Sequence, residues 1–264
     1  MKNVLECPWK DWLEMLTEKR QQLILDFLTE NDVVTVNELM EPLKASESTI
    51  RRDLKNLEKQ GFLARVHGGA KKVPHLSFEA TMAEKEEKFH QQKVGIARFC
   101  AQMLDSDDVI YLDAGTTTIE MIQFIPQDLS IKVVTNSVKH AALLIDRQIE
   151  TMILGGRIKL STNATLGSTA IEQLGELRFS KAFLGMNGAD LEAGFTTPDP
   201  EEAAVKKWAI KQSQQNYVLV DHSKLQQITF AQVAPLKAAE IITDSCPPKF
   251  VKDFQDQTML KEVR

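Results

Sequence analysis

The sequence predicts a small α+β domain followed by a larger α/β domain with a mainly parallel sheet. Between Thr49 and Lys72, seven basic side chains face two acidic ones, although the 264-residue chain carries a net charge of −5. From Asp107 onward, short apolar runs alternate with helical patterns, which is typical of parallel strands joined by helices. We expect four segments: an N-terminal extension at 1–14, a first domain at 15–72, a connector at 73–92 and a second domain at 93–264.

Composition and cysteine usage predict a cytoplasmic protein without a membrane segment. The hydrophobic fraction is 43% and the charged fraction 26%, as in ordinary globular proteins. No apolar run approaches the roughly 18 residues that span a bilayer, and the acidic residues near the N-terminus exclude a secretory signal. The cysteines are too far apart for a metal site, so we expect packed thiols and neither metal nor cofactor. They are Cys7, Cys100 and Cys246.

The first helix is expected to start at Met15, with Thr17 as its N-cap residue. Apolar residues then recur at helical spacing toward Leu28. Two interpretations of the residues before Met15 remain open: either Met15 is the native start, or these residues form a loose arm.

The second helix is expected to open with a capping box, in which Thr35 and Glu38 exchange hydrogen bonds. Pro42 should end or kink this helix early, because it has no backbone N–H. A third helix should start after an N-cap at Ser46 and run to about Lys59, with Gly61 placed to stop it.

The third helix has an apolar stripe and a basic face. Ile50, Leu54 and Leu57 fall on one stripe and are expected to pack inward. A basic face that also carries hydroxyl groups fits a DNA major groove, where Arg pairs with guanine and Ser or Lys holds phosphates. The alternative is a solvated charged face with no partner. The residues opposite the stripe are Ser48, Arg52 and Lys55, with Arg51 on the flank.

The segment after the third helix predicts a β-hairpin. "FLARVHGGA" alternates apolar and polar residues and then turns at Gly68-Gly69. In such a wing, Arg65 would reach the phosphate backbone or the minor groove. The combination predicts a winged helix-turn-helix domain whose partner is double-stranded operator DNA. The predicted DNA-contacting residues are Ser46, Ser48, Thr49, Arg51, Arg52, Lys55, Arg65 and His67.

The connector is polar, and its charged tract at 84–88 is expected to be a solvated helix face or a hinge. "KVGIARFCAQML" then shows helical spacing and should form the first helix of the second domain. Its inward residues are expected to be Ile96, Phe99, Cys100 and Met103.

Polar loops follow the predicted strands of the second domain. Ligands collect at the carboxyl ends of parallel strands, so these loops are the expected ligand site. In the first loop, Gly115 permits close backbone approach, and free amides with the hydroxyls of Thr116, Thr117 and Thr118 suit a phosphate. Thr also serves as a plain helix cap, which is the alternative. The strand candidates are "VIYL", "IKVVT", "TMILGG", "KAFLGMN", "NYVLV" and "EIIT".

The other loops repeat this combination of hydroxyl, amide, carboxylate and cationic groups. Such groups bind sugar hydroxyls and phosphate, although Asp and Asn also tie turns together. The effector-binding candidates outside the first threonine loop are Asp113, Thr135, Asn136, Ser137, Gly156, Arg157, Asn187, Gly188, Asp190, Thr196, Thr197, Lys206, Asp221 and Lys224.

"ASESTIRRDLKNLEKQGFLARVHGGA" resembles the signature of the DeoR-type bacterial transcriptional regulators, and the resemblance extends from Met15 over nearly the whole chain. It implies a winged helix-turn-helix domain joined to a sugar-phosphate sensor with the fold of ribose-5-phosphate isomerase and glucosamine-6-phosphate deaminase. It also implies a phosphate at residues 113–118 and a sugar near Asp190, Lys206 and Lys224.

Five motifs are most similar to the fructose operon repressors of that family, which implies fructose 1-phosphate as effector. Lactose and other sugar regulators share shorter versions of them. The departures are the extra N-terminal residues and Pro42. The motifs are "MLTEKRQQLIL", "ASESTIRRDL", "YLDAGTTTIEMI", "GFTTPDPEEAAVKK" and "DHSK…TFA".

The leading hypothesis is therefore a repressor, acting as a homo-oligomer (dimer or tetramer), that a phosphorylated sugar releases from its operator. One alternative is a sugar-phosphate isomerase with a DNA-binding appendage, for which Asp113, Asp190 and Glu201 would supply acid–base groups. A second alternative is an activator, or a regulator that answers another sugar phosphate.

Overall fold

The computed structural model describes residues 17–31, 33–59, 62–73, 76 and 81–263. The chain divides into two compact units, Met1–His75 and Leu76–Arg264. The expected extension, the helix start at Met15 and Cys7 lie outside the described residues.

The first unit consists of three helices and a three-stranded antiparallel sheet, in the order β1-β3-β2. Its core contains the predicted stripe of the third helix, packed with Ile24, Leu28, Leu39 and other apolar side chains. The prediction of three helices and a hairpin is confirmed, and a third strand is added. The elements are α1 (Thr17–Asn31), β1 (Val33–Thr35), α2 (Val36–Met40), α3 (Glu47–Lys59), β2 (Leu63–Val66) and β3 (Gly69–Lys72).

Local interactions explain several boundaries in this unit. The capping box of Thr35 and Glu38 is present at the start of α2, and the helix ends at Met40, two residues before Pro42. The residues that precede Thr17 lie outside the described part of the chain, so the N-cap role expected of Thr17 stays a prediction. Gly69 lies so close to β1 that a Cβ atom would be 2.1 Å from the Val34 carbonyl oxygen.

The second unit contains a seven-stranded parallel sheet in the order β15-β14-β12-β9-β4-β5-β6. The prediction of a mainly parallel sheet is confirmed. Its strands are β4 (Val109–Leu112), β5 (Lys132–Thr135), β6 (Glu150–Ile153), β9 (Phe179–Gly185), β12 (Ser213–Leu219), β14 (Glu240–Thr243) and β15 (Leu260–Glu262).

The described part of this unit also contains five short strands and three short 3-10 helices outside the parallel sheet. The strands form a two-stranded sheet, β7-β8, and a three-stranded sheet, β10-β11-β13, both antiparallel. The strands are β7 (Arg157–Lys159), β8 (Ala164–Leu166), β10 (Gly188–Asp190), β11 (Gly194–Thr197) and β13 (Ala231–Ala234), and the 3-10 helices are Ile122–Phe124, His222–Lys224 and Leu236–Ala238.

Helices cover both faces of the parallel sheet. Leu144 of α7 joins Ile110 in one apolar cluster, and Phe254 of α10 joins Tyr111 in the other. Because successive strand residues point to opposite faces, adjacent residues of β4 belong to different clusters. The helices are α4 (Met82–Glu87), α5 (His90–Ala101), α6 (Thr118–Met121), α7 (Val138–Asp146), α8 (Ser168–Glu176), α9 (Pro200–Gln212) and α10 (Pro248–Gln255).

The predicted connector, residues 73–92, contains α4 and the start of α5. In α5, Ile96 and Cys100 are fully buried, while Phe99 is half-buried. Cys100 and Cys246 are buried free thiols, as expected for packed side chains. Within the described part of the chain, no helix is long and apolar enough to cross a membrane.

Candidate functional sites

Helix α3 buries its apolar stripe and exposes its basic face. Ile50, Leu54 and Leu57 are at most 2% exposed, whereas Arg52 and Lys55 are exposed on the opposite side. The division of this helix into a buried stripe and a charged face is therefore confirmed. It leaves one face of the first unit able to meet a polyanion.

Hydroxyl groups gather at the exposed N-terminus of α3. The Ser46 Oγ accepts a hydrogen bond from the Thr49 backbone N–H at 3.4 Å. The same Oγ lies 3.0 Å from the Ser48 Oγ and 2.9 Å from the Thr49 Oγ1. Ser46 thus caps the helix as expected, and the cluster offers hydroxyl groups to a phosphate.

The cations of the first unit differ in whether they already have partners. Arg51 pairs with Glu47 at 2.7 Å, and Arg65 in β2 pairs with Glu58 at 2.8 Å. Hydrogen bonds from Arg65 lower the pKa of Glu58. Both ion pairs are exposed, so each arginine can leave its glutamate for a DNA phosphate at little cost in free energy. His67 is exposed in the hairpin turn.

The charge at Asp53 is not on the surface. Its carboxylate is 1% exposed and accepts hydrogen bonds from Arg20 of α1 at 2.5 and 3.3 Å. This buried pair joins α1 to α3. Because Asp53 is buried, the exposed surface of α3 is more positive than the sequence count indicates.

In the second unit, Asp113 and Lys206 form a buried ion pair at the carboxyl ends of β4 and β9. The Asp113 Oδ2 accepts hydrogen bonds from the Lys206 Nζ of α9 and from the Gly185 N–H, the latter at 3.0 Å. The two side chains are at most 6% exposed. Burial raises the pKa of Asp113, although Lys206 beside it favours the carboxylate.

The threonine loop after β4 is held in part by the hydroxyl group of Thr118. The Thr118 Oγ1 donates to the Asp113 carbonyl at 2.6 Å and lies 3.0 Å from the Gly115 carbonyl. Thr117 is buried and Thr116 half-buried. Helix α6 has only four residues, so it contributes less dipole than the predicted helix start suggests.

The loop after β5 contacts the threonine loop. The Asn136 Oδ1 accepts a hydrogen bond from the Ala114 N–H at 3.0 Å. Ser137 caps α7 by accepting from the His140 N–H at 3.2 Å, and its own N–H donates to the Thr135 Oγ1 at 3.1 Å. All three predicted residues of this loop are at most 2% exposed. The structure therefore brings the first two predicted loops together.

His140 is a buried member of this site that sequence analysis passed over. Its Nδ1 lies 2.7 Å from the Ser137 Oγ, and its Nε2 lies 3.1 Å from the Thr118 Oγ1. Burial lowers the pKa of His140 to about 3, so the ring is neutral at pH 7. Its position three residues after the capping Ser137 was the available sequence signal.

Glu202 is a second such residue. Its Oε1 accepts hydrogen bonds from Lys159 and Thr162, each at 3.0 Å, and its Oε2 lies 3.4 Å from the Thr197 Oγ1. The Thr197 hydroxyl donates to the Asn187 Oδ1 at 3.0 Å. Glu202 therefore links the β7-β8 hairpin to the loop after β9. Its neighbour Glu201, an acid–base candidate of the isomerase alternative, is exposed.

Gly156 and Arg157 occupy the start of the β7-β8 hairpin. Gly156 has a φ of 135°, and a Cβ atom there would lie 2.5 Å from the Leu166 carbonyl oxygen. Arg157 forms an exposed ion pair with Glu201. Packing of the hairpin thus explains the glycine, and Arg157 lies at the surface beside α9.

Two candidates after β9, Gly188 and Asp190, have roles in local structure. The Asp190 Oδ1 accepts from the Glu192 and Ala193 N–H groups at 2.9 and 2.8 Å, which closes the β10–β11 turn. A Cβ atom on Gly188 would lie 2.2 Å from the Gln227 carbonyl oxygen. The expectation that Asp190 lies near a sugar stays a prediction, and turn closure is the role that its contacts support.

Thr196 and Asp221 are also engaged by local contacts, both with residues of the segment between β12 and β13. The Thr196 Oγ1 accepts from the Thr229 N–H at 3.0 Å. Asp221 is 3% exposed and accepts from the Ser223 N–H at 3.0 Å, and Lys224 is half-buried in the same loop. This loop also carries His222, whose Nδ1 lies 2.7 Å from the Asp244 Oδ2.

Helix α5 brings a buried cation beside the β12 loop. The Lys93 Nζ donates to the Lys88 carbonyl at 2.6 Å. Burial lowers the pKa of Lys93 to about 8, with Asp221 opposing that shift and Lys224 adding to it. The Phe89 ring, at a residue with a left-handed φ of 54°, lies 4.5 Å from the His222 ring.

Together these contacts define an effector-site candidate, which we call the strand-end cluster. Its members lie at the ends of β4, β5, β9 and β11 and in the first turns of α9, and hydrogen bonds join several of them. It combines a buried cation, carboxylates, amides and hydroxyl groups, which are the groups that bind phosphorylated sugars. Its members are Asp113, Thr116, Thr117, Thr118, Thr135, Asn136, Ser137, His140, Asn187, Thr197, Glu202 and Lys206.

A helix-turn-helix unit with an exposed basic helix, followed by a unit with a polar strand-end cluster, is the arrangement of a ligand-sensing DNA-binding regulator. Family models match both parts. Residues 20–74 match the DeoR-like helix-turn-helix domain, and residues 88–245 match the DeoR C terminal sensor domain. The chain belongs to the DeoR family of transcriptional regulators.

Individual relatives agree with the family match. FruR, an uncharacterised helix-turn-helix transcriptional regulator from Bacillus subtilis (strain 168), is 46% identical over 95% of this chain and 100% of its own length. The lactose phosphotransferase system repressor from Staphylococcus epidermidis (strain ATCC 12228) is 32% identical over 80% of this chain and 86% of its own length.

A solved structure of ribose 5-phosphate isomerase A from Methanocaldococcus jannaschii is similar at a TM-score of 0.40 and 18% identity. The similarity covers 52% of this chain and 54% of that one.

Proposed function

We propose that this protein represses a sugar-utilisation operon, of the kind that serves fructose uptake through a phosphotransferase system. Helix α3 and the β2-β3 hairpin bind operator DNA, and a phosphorylated sugar releases them. Fructose 1-phosphate is the effector that we favour. The resemblance of five sequence motifs to fructose operon repressors supports this choice, as does the similarity to a repressor of a phosphotransferase system.

The strand-end cluster is the observation that carries the proposal. Lys206 is almost completely buried, its Nζ donates to the buried Asp113 carboxylate, and the cluster also contains buried hydroxyl and amide groups. Burying polar groups costs free energy unless they are satisfied, so such a concentration is expected where a polar ligand binds. A sugar phosphate supplies both hydroxyl groups and an anion to this set.

The DNA-binding half of the proposal rests on α3. Arg52 and Lys55 are exposed and have no ion-pair partner among the described residues. Exposed arginine on a helix that enters the major groove can read guanine, and lysine can hold phosphate. Such domains usually bind two-fold sites as pairs, so we include a homodimer or a homotetramer in the proposal.

Thermal unfolding with a panel of phosphorylated sugars tests the effector. A ligand at about 100 times its dissociation constant stabilises the native state by about 2.7 kcal/mol. We expect fructose 1-phosphate to raise the Tm most, fructose 6-phosphate and ribose 5-phosphate to raise it less, and unphosphorylated fructose to leave it unchanged.

A matched variant shows where the effector binds. Lys206→Met keeps the length of the side chain but removes its charge, and it should abolish the Tm shift. Arg178→Met, which removes a cation from an exposed site, should preserve the shift. Equal Tm values with and without every sugar phosphate would contradict the sensor half of the proposal.

A further inference from the structure

Exposed apolar side chains concentrate at one edge of the parallel sheet. Among the described residues, seven of the thirteen exposed large hydrophobic side chains lie between positions 138 and 160. Single exposed apolar residues scattered over a surface are normal, whereas their concentration beside an edge strand indicates an interaction surface. The seven are Val138, Leu143 and Ile145 of α7, Met152 and Ile153 of β6, Ile158 of β7 and Leu160 in the β7–β8 turn.

Strand β6 is the last strand on this side of the sheet, and β5 is its one neighbour in the sheet order. Met152 and Ile153 are 41% and 42% exposed and point to opposite faces. The outer edge of such a strand presents N–H and C=O groups that can pair with another chain. Apolar side chains on both faces strengthen that pairing.

The opposite edge of the same sheet is different. Strand β15 carries Lys261 and Glu262, both exposed, while Leu260 is buried. Charged side chains on an edge strand discourage pairing with another chain. The two edges are therefore not equivalent, and β6 is the one without such protection over positions 151–153.

The charges at the two ends of β6 indicate which kind of chain can pair with it. Glu150 begins the strand and Arg157 follows it, and no charged residue lies between them. Antiparallel pairing of two identical segments places the acidic end of one beside the basic end of the other, whereas parallel pairing places like charges together. We propose that a second copy of this chain pairs along β6 about a two-fold axis, with the apolar patch as the interface.

Existing ion pairs do not oppose this arrangement. Glu150 pairs with Lys132 at 2.7 Å, and Arg157 pairs with Glu201. All four side chains are about half-exposed or more, so these pairs contribute little and can rearrange. In the two-fold pair, the four charges form a group of alternating sign at each end of the interface.

The interface adjoins the strand-end cluster through the β7-β8 hairpin. Lys159 and Thr162 of this hairpin hold Glu202, and Leu160, 89% exposed, lies between them in sequence. A partner that covers Leu160 therefore touches the same hairpin that supports the cluster. This connection rests on the proposed function, whereas the interface itself does not.

Sedimentation velocity of the full chain tests the interface. We expect the wild-type protein to sediment as a dimer or a larger even-numbered assembly, and Met152→Glu and Ile153→Lys each to halve its mass. Met259→Glu is the matched control, because Met259 is 64% exposed beside the opposite edge strand, and it should leave the mass unchanged. Circular dichroism verifies that each variant is folded.

Disulfide trapping identifies the symmetry. In an antiparallel two-fold pair centred near Ile153, a cysteine at that position meets its own copy, so Ile153→Cys should give a covalent dimer that a reducing agent cleaves. Met259→Cys should give none above the wild-type level. A monomeric wild-type protein at micromolar concentration, or an Ile153→Lys protein with the wild-type mass, would overturn the proposal. An Ile153→Lys protein with the wild-type mass would refute this interface alone and leave the proposed function standing, whereas a monomeric wild-type protein would also contradict the oligomeric part of the proposed function.

Discussion

At the scale of single residues, the same side chain types have different roles according to burial. Asp53 and Arg20 form a buried pair that joins two helices, whereas Arg52, one residue before Asp53, is exposed on the basic face. A sequence count of charge treats both positions alike. Helical geometry separates them, because consecutive residues lie 100° apart around the helix.

Arg52 is the residue whose removal tests DNA recognition most directly. If it pairs with a base, Arg52→Ala should weaken operator binding by about 1–3 kcal/mol, as measured by fluorescence anisotropy at fixed salt. Arg52→Lys keeps the charge but loses the two-pronged donor, so it should retain non-specific binding and lose sequence discrimination. An Arg52→Ala protein that holds operator as tightly as wild type would show that the recognition face is elsewhere.

His140 predicts a pH dependence of stability. Its pKa is lowered to about 3 in the folded protein, while an unfolded histidine has a pKa of about 6.5. Between these values the unfolded chain binds the extra proton, so the free energy of unfolding falls as pH falls, by up to about 1.4 kcal/mol per pH unit.

This contribution is fully present above about pH 6.5 and is lost progressively toward pH 3. Urea unfolding at several pH values measures it, and His140→Gln, which cannot titrate, should flatten the slope between pH 6.5 and pH 5. An identical slope in both proteins would place the titration on other groups.

At the scale of elements, turns and loops depend on close approaches between strands. Gly69 and Gly68 are adjacent in the hairpin but have different surroundings. A Cβ atom at Gly69 would overlap the Val34 carbonyl, while one at Gly68 would meet nothing within 4 Å. Gly68 instead has a φ of 82°, which favours glycine through backbone strain of about 1 kcal/mol.

These two glycines give a matched pair of variants. We expect Gly69→Ala to destabilise the first unit by more than Gly68→Ala, because it forces β1 and β3 apart, and to weaken operator binding. Calorimetry of the full chain measures the destabilisation caused by each variant. Stabilisation of the second unit by the effector should be the same in both variants and in the wild type. Equal destabilisation by the two variants would mean that the hairpin relaxes around the added methyl group.

At the scale of the whole molecule, the two units act through linkage. If a sugar phosphate lowers operator affinity by a given factor, operator DNA must lower the affinity for that sugar phosphate by the same factor. Coupling of about 1–3 kcal/mol corresponds to a factor between 5 and 150. Calorimetric titration of the effector with and without operator DNA should give this factor, and a factor of one would exclude release by the effector.

The sequence by itself determined the elements whose patterns are local. Capping residues, the apolar stripe of α3, the hairpin and the apolar strands of the parallel sheet all follow from residue type and spacing. The polar strand-end loops were predictable as well, because parallel strands place their carboxyl ends at one edge. The family follows from these same segments.

Only the tertiary structure decided how those polar residues divide. Asp190 and Asp113 look alike in sequence, but one closes a turn and the other pairs with Lys206, 93 positions away in the chain. Glu202 and His140 joined the cluster, and the exposed apolar edge at β6 emerged once the strand order was known. Spacing along the chain sets local structure, whereas burial and pairing depend on which distant segments meet, and residue type alone does not encode that.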